Sequence, residues 1–233
     1  MTTPNDEQEY VVPLIMLHSV VFPSMPATIA LTGAAAVRVA KRGLKLGTTV
    51  GFVLTDAPFG PKASEGIYRV GTCAAIQSVE RTSLGTLSAL VVGAERFLIS
   101  ALSEPYQNEQ VAIVTRVTDQ PSTSNTLAIH ARKLHRMVLT YLDLIAARLG
   151  ESVPPVTFPE SPEELSMCVA SIVIGETDLK QELLELTDTA TRLHEEMHWL
   201  QEEIRRLHED TMVARQFSLD DEQVRESIRY MRN

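Results

Sequence analysis

The sequence predicts an α+β protein in which a curled β-sheet or small barrel precedes a helical lobe with one long helix near its end. First, residues 10–117 hold about seven short apolar runs separated by turn residues, with one helical stretch among them, as in small closed or curled sheets. Second, a polar break at 119–125 is followed only by stretches with helical spacing. Third, a heptad pattern predicts a single helix over 177–214.

These breaks divide the chain into four segments. Residues 1–118 form the predicted β-rich lobe, and 119–125 form a linker rich in Ser, Thr, Asp and Pro. Residues 126–216 form the helical lobe, and 217–233 are predicted to be a short C-terminal helix or tail.

The β-rich lobe is predicted from apolar runs bounded by glycine, proline and polar turns. A helix is predicted over 33–46, because Gly47 supplies the left-handed residue that commonly ends a helix. Gly93 is predicted to break the apolar run that surrounds it. The predicted strands are 10–17, 27–31, 50–55, 67–79, 87–92, 96–102 and 111–117.

Two large apolar residues, Phe22 and Met25, are the candidate substrate-binding residues. Pro23 and Pro26 exclude regular helix around them and hold both in a rigid, extended turn. Two interpretations stay open: the side chains fill the core of the β-rich lobe, or they form an apolar surface that meets partners. A groove between the two lobes is the other place where a partner is expected.

Three helices are predicted in the helical lobe. The first covers 126–149 and ends at Gly150. The second covers 162–174, where Ser161 starts a capping box with proline at the first helical position. The third is the heptad helix, which Thr177 caps. Its apolar seam is Leu179, Leu183, Leu186, Ala190, Leu193, Met197, Leu200, Ile204 and Leu207.

The seam needs a partner, which is either this chain, a second copy or another module. An apolar stripe at Leu134, Val138, Leu142 and Ile145 is long enough to cover the first half of the seam. We therefore expect the second half to project as an interaction arm, with residues 200–214 as a candidate homo-oligomer contact.

Composition and charge exclude several classes of function. The net charge of −9 argues against nucleic-acid binding, because such proteins concentrate Lys and Arg. No apolar run approaches a membrane span, and no signal peptide opens the chain, so a cytoplasmic location is expected. Cys73 and Cys168 are predicted to be reduced core residues. Phosphate-binding, dinucleotide-binding and serine-hydrolase motifs are absent from the sequence, and no cofactor is predicted.

One metal motif is present, because His194-Glu195-Glu196-Met197-His198 matches the H-E-x-x-H pattern of zinc peptidases. Histidines four residues apart share a helix face, and the intervening Glu would act as general base. However, a third ligand is missing nearby, and only Glu222 or Glu226 could supply it if the tail folds back. Met197 lies in the seam, which places His194 and His198 on its solvated flank. We predict adventitious metal binding rather than catalysis.

Five segments, taken in order, resemble the N-terminal substrate-binding domain of the Lon proteases. The first is Pro-Leu-Ile-Met-Leu-His-Ser-Val-Val-Phe-Pro-Ser-Met over 13–25. The others are Ile-Tyr-Arg-Val-Gly-Thr-Cys-Ala-Ala-Ile over 67–76, Gly-Thr at 85–86, Leu-Val-Val-Gly-Ala-Glu-Arg-Phe-Leu-Ile over 90–99, and Lys-Gln-Glu-Leu-Leu-Glu-Leu-Thr-Asp over 180–188.

The resemblance implies a PUA-like β-lobe joined to a helical lobe, in a module that binds unfolded or degron-bearing polypeptides. It also implies an association with an ATP-dependent protease. Two forms stay open: a free-standing protein, which we expect, and an N-terminal piece of a full-length Lon. In both cases we expect a chain that lacks the ATPase and peptidase domains of Lon and is not an enzyme. The alternatives are a self-associating coiled-coil protein and, more remotely, a zinc metallopeptidase. The acidic charge disfavours RNA binding through the PUA-like lobe.

Overall fold

The secondary structure follows the predicted division into strands and helices. The computed structural model describes residues 8–56, 66–121, 125–152, 156–173, 175 and 177–230, with side chains described except at 125 and 211–230. The strands are β1 Tyr10–Leu17, β2 Pro26–Ala30, β3 Val50–Leu54, β4 Val70–Arg81, β5 Leu87–Leu102 and β6 Gln110–Val117. The helices are α1 Gly33–Leu46, α2 Asn125–Leu149, α3 Pro162–Ile172, α4 Thr177–Glu185 and α5 Thr189–Tyr230.

The six strands form one sheet that closes on itself, which confirms the predicted curled sheet or small barrel. Its order is β2-β5-β4-β3-β1-β6, and β5 also pairs with β6, so five strands complete a barrel while β2 lies at an edge. Strands β1 and β3 are parallel, and the other pairs are antiparallel. Alternate residues fill the interior, as strand geometry requires. One core cluster is Val12, Leu14, Val53, Cys73, Phe97, Ile99, Ala112 and Val114.

The structure corrects the predicted break at Gly93, because 87–92 and 96–102 belong to the single strand β5. The register with β4 shifts here, where Cys73 faces Glu95 and Ala74 faces Gly93. Gly93 is required by its neighbour and not by a turn: a Cβ at this position would lie 2.0 Å from the carbonyl oxygen of Phe22. Six strands are therefore described instead of about seven.

In the helical lobe, α2 and α5 pack side by side and run in the same direction. The rings of Tyr141 and Trp199 meet edge to face at 5.7 Å, and further along both helices Arg148 pairs with Asp210. Helix α3 begins as predicted, since the Ser161 hydroxyl accepts a hydrogen bond from the Glu164 N–H. In the described ranges, no helix has both the length and the hydropathy that crossing a membrane requires.

The prediction of a single heptad helix over 177–214 is wrong, because α4 ends at Glu185 and α5 begins at Thr189. The carboxylate of Asp188 accepts a hydrogen bond from the Thr191 N–H at 3.0 Å and so starts a new helix. The carbonyl of Leu186 accepts guanidinium hydrogen bonds instead of a helical one. The prediction of a separate short helix or tail over 217–233 is also wrong, since α5 continues through 217 to Tyr230.

Helix α2 covers more of the apolar seam of α5 than predicted, including part of its second half. Leu200 and Leu207 are buried in the same cluster as Val138 and Tyr141 of α2, so this part of the seam is not free to bind a second chain. The rest of the predicted oligomer contact, 211–214, lies outside the described side chains. Helix α5 nevertheless runs 20 residues past Asp210, which is about 30 Å of helix.

Candidate functional site

A groove of about 260 Å³ separates the barrel from the start of α3. Three segments of the β-rich lobe and the first two turns of α3 form its walls. The lining residues are Pro23, Ser24, Ala94, Glu95, Arg96, Arg116, Val117, Thr118, Asp119, Glu163, Glu164 and Met167. The groove therefore lies between the lobes, at one of the two places where the sequence predicts partner binding.

The groove exists because β5 changes partners along one edge. Its first part, through Val92, pairs with β2, and its part from Arg96 onward pairs with β6. In the interval between them, Pro23 forms an isolated bridge with Gly93, and the Ser24 N–H donates to the Gly93 carbonyl at 3.0 Å. Ser24 adopts a φ of 61°, which is uncommon for a residue with a side chain, and its side chain is exposed at the groove.

The groove combines an apolar floor with a charged rim. Pro23 supplies apolar surface, and Met167, which is 5% exposed, lies at the bottom of the groove. Glu95 and Arg116 form an ion pair on one wall, and Glu163 stands on the opposite wall at the start of α3. Apolar surface that is bordered by a few polar groups is typical of sites that bind flexible ligands. The arrangement can hold an apolar side chain and bind neighbouring polar groups of a polypeptide.

Phe22 lies beneath this groove and not on its surface. It is 2% exposed and packs with Met167 and Ala170 of α3 and with Leu183 and Leu184 of α4. Met25 is partly buried against the same cluster. Of the two predicted interpretations, burial therefore describes Phe22. The ring is buried between the two lobes, however, and not within the β-rich lobe alone. Phe22 is inaccessible to a partner in this conformation, and its predicted contact with a substrate is not supported by its position.

A buried charged network joins the two lobes beside Phe22. The Asp119 carboxylate accepts hydrogen bonds from Arg96 at 2.5 Å and from Arg192 at 3.0 Å. Arg96 comes from β5 and Arg192 from α5, and their side chains are 3% and 0% exposed. Arg96 also donates to the carbonyls of Leu184 and Leu186. Burial lowers the pKa of Arg96, and Asp119 opposes that shift.

Asp119 and Gln120 are therefore structural residues and not a free spacer. The backbone N–H of Gln120 donates to the Thr187 carbonyl at 2.9 Å. Both residues hold the α4–α5 connection against the end of the barrel. Residues 122–124 of the predicted linker lie outside the described residues, and its last residue, Asn125, already belongs to α2.

The network continues to Glu196 of α5, which is 1% exposed. Arg192 donates to the Ser166 hydroxyl, and Ser166 donates to one oxygen of Glu196, each at 2.8 Å. The other carboxylate oxygen has no hydrogen-bond partner among the described residues. Burial raises the pKa of Glu196 well above its usual value, while Ser166 and Arg192 oppose the shift.

The raised pKa of Glu196 predicts that the free energy of unfolding falls as pH rises. Its pKa is higher in the folded state than in the unfolded chain, so its full contribution is present below the unfolded value of about 4.3 and is lost as pH rises toward the folded pKa. Glu196→Gln removes this titration. We expect the free energy of unfolding of Glu196→Gln, relative to the original chain, to increase from pH 5 to pH 8 in urea titrations. A difference that is constant over this range would contradict the assignment.

His194 and His198 are exposed on the flank of α5 beside the buried Met197, as the seam predicts. Glu195, the general base that the motif would require, is also exposed. Among the described side chains, no three His, Cys, Asp or Glu residues lie close enough together to hold a metal ion. Glu222 and Glu226, the remaining candidate ligands, lie outside the described side chains.

Residues 11–202 match the family described as the ATP-dependent protease La (LON) substrate-binding domain. A Lon protease of Bacillus thuringiensis (strain Al Hakam) is 30% identical over 143 residues, which are 61% of this chain and 18% of that protein. A Lon protease of Aquifex aeolicus (strain VF5) is 27% identical over 199 residues, 82% of this chain and 25% of that protein. The chain thus spans about a fifth to a quarter of these relatives.

Two solved structures share the fold. The N-terminal domain of Mycobacterium avium complex Lon protease has a TM-score of 0.63 at 20% identity, and the match covers 82% of this chain and 98% of that one. The Lon N-terminal domain protein from Xanthomonas campestris has a TM-score of 0.58 at 18% identity with the same coverage. At this level of identity, the likeness concerns the architecture of the chain.

Proposed function

The chain belongs to the Lon (ATP-dependent protease La) substrate-binding domain family, and from this membership we propose that it is a non-catalytic module that binds unfolded or degron-bearing polypeptides. The proposal includes a cytoplasmic location and cooperation with an ATP-dependent protease that degrades the bound polypeptide. The matched segment is the substrate-binding domain of that family, which is why recognition and not hydrolysis is assigned to this chain.

The observation that carries the proposal is the groove between the lobes. It has an apolar floor at Met167 and Pro23 and a rim with both signs of charge at Glu95 and Arg116. An unfolded polypeptide exposes apolar side chains between polar ones, so such a groove suits it without requiring one sequence. Because Phe22 and the Asp119 network hold both walls, the groove keeps its shape before a substrate binds, which lowers the entropic cost of binding.

A bulky residue in the groove tests this function. Ala94 is exposed and lines the groove, whereas Ala101 is exposed on the same strand away from it. We expect Ala94→Trp to weaken binding of reduced, carboxamidomethylated α-lactalbumin, a permanently unfolded protein, by about tenfold or more, since it fills the space for one side chain. Fluorescence anisotropy of the labelled client measures the affinity.

Ala101→Trp is the matched control, because it adds the same indole to the same strand. It should leave the affinity unchanged. Equal weakening by both substitutions, or by neither, would place the binding surface outside the groove. No binding of the unfolded client to the original chain would refute the proposed function itself.

A further inference from the structure

We propose that the free edge of β2 binds an extended segment of the client polypeptide as an added β-strand. This inference rests on the proposed function and gives it a second contact, made to the client backbone. Addition of a strand to an open sheet edge is a general mode of peptide recognition, in which main-chain hydrogen bonds supply the affinity.

The hydrogen bonds between β2 and β5 show which groups of β2 remain available. The Leu31 N–H donates to the Leu87 carbonyl at 2.9 Å, and the Gly93 N–H donates to the Met25 carbonyl at 3.0 Å. In the antiparallel register of these strands, the odd-numbered residues of β2 therefore direct their backbone groups toward β5. The even-numbered residues direct theirs away from the sheet. They are Pro26, Thr28 and Ala30.

This outer edge is open among the described residues, because β2 ends the strand order and pairs only with β5. The side chains of Pro26, Thr28 and Ala30 are exposed, while Ile29 is buried and fixes the strand on the core. Natural edge strands are usually blocked by charged residues, bulges or proline. No charged residue lies within β2, and its only proline is at the start, so Thr28 and Ala30 remain competent to pair.

The backbone chemistry of the edge favours a client over a second copy. An added antiparallel strand could form six hydrogen bonds with three outward residues, and Pro26 lacks one donor, which leaves five. Two copies paired about Thr28 would lose a donor from each Pro26, which leaves four. The edge also begins two residues after the groove-lining Ser24, so one extended client can follow the groove into the edge.

Proline at position 28 tests the inference, because it removes an outward N–H without touching the bonds to β5. Proline is tolerated on the outer side of an edge strand. Thr28→Pro should weaken binding of reduced, carboxamidomethylated α-lactalbumin about threefold to tenfold, which is the effect of one lost backbone hydrogen bond. Thr28→Val, which keeps the N–H, is the matched control and should bind as the original chain does.

Amide hydrogen exchange of the original chain gives a readout that needs no variant. Saturating client should slow exchange at Thr28 and Ala30, whereas the Leu84 amide in the β4–β5 hairpin should be unaffected. If the original chain binds the client but these amides keep their rates and Thr28→Pro binds equally well, the edge assignment is wrong while the proposed function stands. A concentration-dependent dimer that Thr28→Pro abolishes in sedimentation would also overturn it, since the edge would then belong to a second copy.

Discussion

Asp119→Ala is expected to lower the free energy of unfolding by about 3–5 kcal/mol, the range found when one partner of a buried ion pair is removed. The substitution leaves Arg96 and Arg192 facing each other with no anion between them. Their side chains are 3% and 0% exposed and that of Asp119 is 19% exposed, so water replaces the carboxylate only in part. Urea denaturation followed by far-UV circular dichroism measures the loss.

Asp210→Ala is the matched control, because it removes another aspartate that pairs with an arginine. The Asp210 and Arg148 side chains are 53% and 61% exposed, and exposed pairs contribute about 0–1 kcal/mol. A loss at Asp119 as small as that at Asp210 would show that the network does not hold the lobes together.

Phe22→Ala should also destabilise the fold strongly, by about 3–5 kcal/mol, which is typical of deleting a buried aromatic ring. The ring contacts α3 and α4 from the barrel side, so its loss leaves a cavity at the lobe junction. We also expect the lobes to unfold less cooperatively. Trp199, the only tryptophan, reports on the helical lobe by fluorescence, while circular dichroism reports on both lobes.

Leu84→Ala provides the comparison for Phe22, since Leu84 is 89% exposed in the β4–β5 hairpin. Its substitution should change stability by less than about 0.5 kcal/mol. A similarly small effect at Phe22 would mean that the lobes are held together without it.

Local signals in the sequence predict much of the β-rich lobe. Apolar runs between turn residues predict the strands, and Gly47, which adopts a φ of 63°, ends α1 at its predicted bounds, Gly33–Leu46. Gly93 leads to a wrong prediction of a strand break because the glycine is required by a tertiary contact. The backbone at Phe22 approaches position 93 too closely for a Cβ. A glycine that allows such an approach has the same appearance in a sequence as one that ends a strand.

The heptad pattern predicts burial correctly but not helix continuity. Leu183 and Leu193 are both buried although they lie on different helices. The break between these helices depends on the Leu186 carbonyl accepting hydrogen bonds from two arginines, one of them 90 residues away. No local pattern contains that information.

The charged network at the site is also difficult to predict. Arg192 and Glu196 have the sequence appearance of solvated residues on a charged helix, yet both are buried. Arg96 is the exception, because it stands within one of the segments that resemble the Lon family. A charged residue within an otherwise apolar strand indicates that its charge is buried and needs a partner of opposite charge, which here is Asp119.

Photo-crosslinking tests most directly whether the groove between the lobes binds unfolded polypeptide. Benzoylphenylalanine replaces Ser24 at the groove in one protein and Leu84 at the exposed hairpin in another, and each is irradiated with reduced, carboxamidomethylated α-lactalbumin. Crosslinks to the client should form from position 24 and be absent from position 84. Crosslinking from position 84 alone, or with equal yield from both positions, would contradict the assignment of the groove.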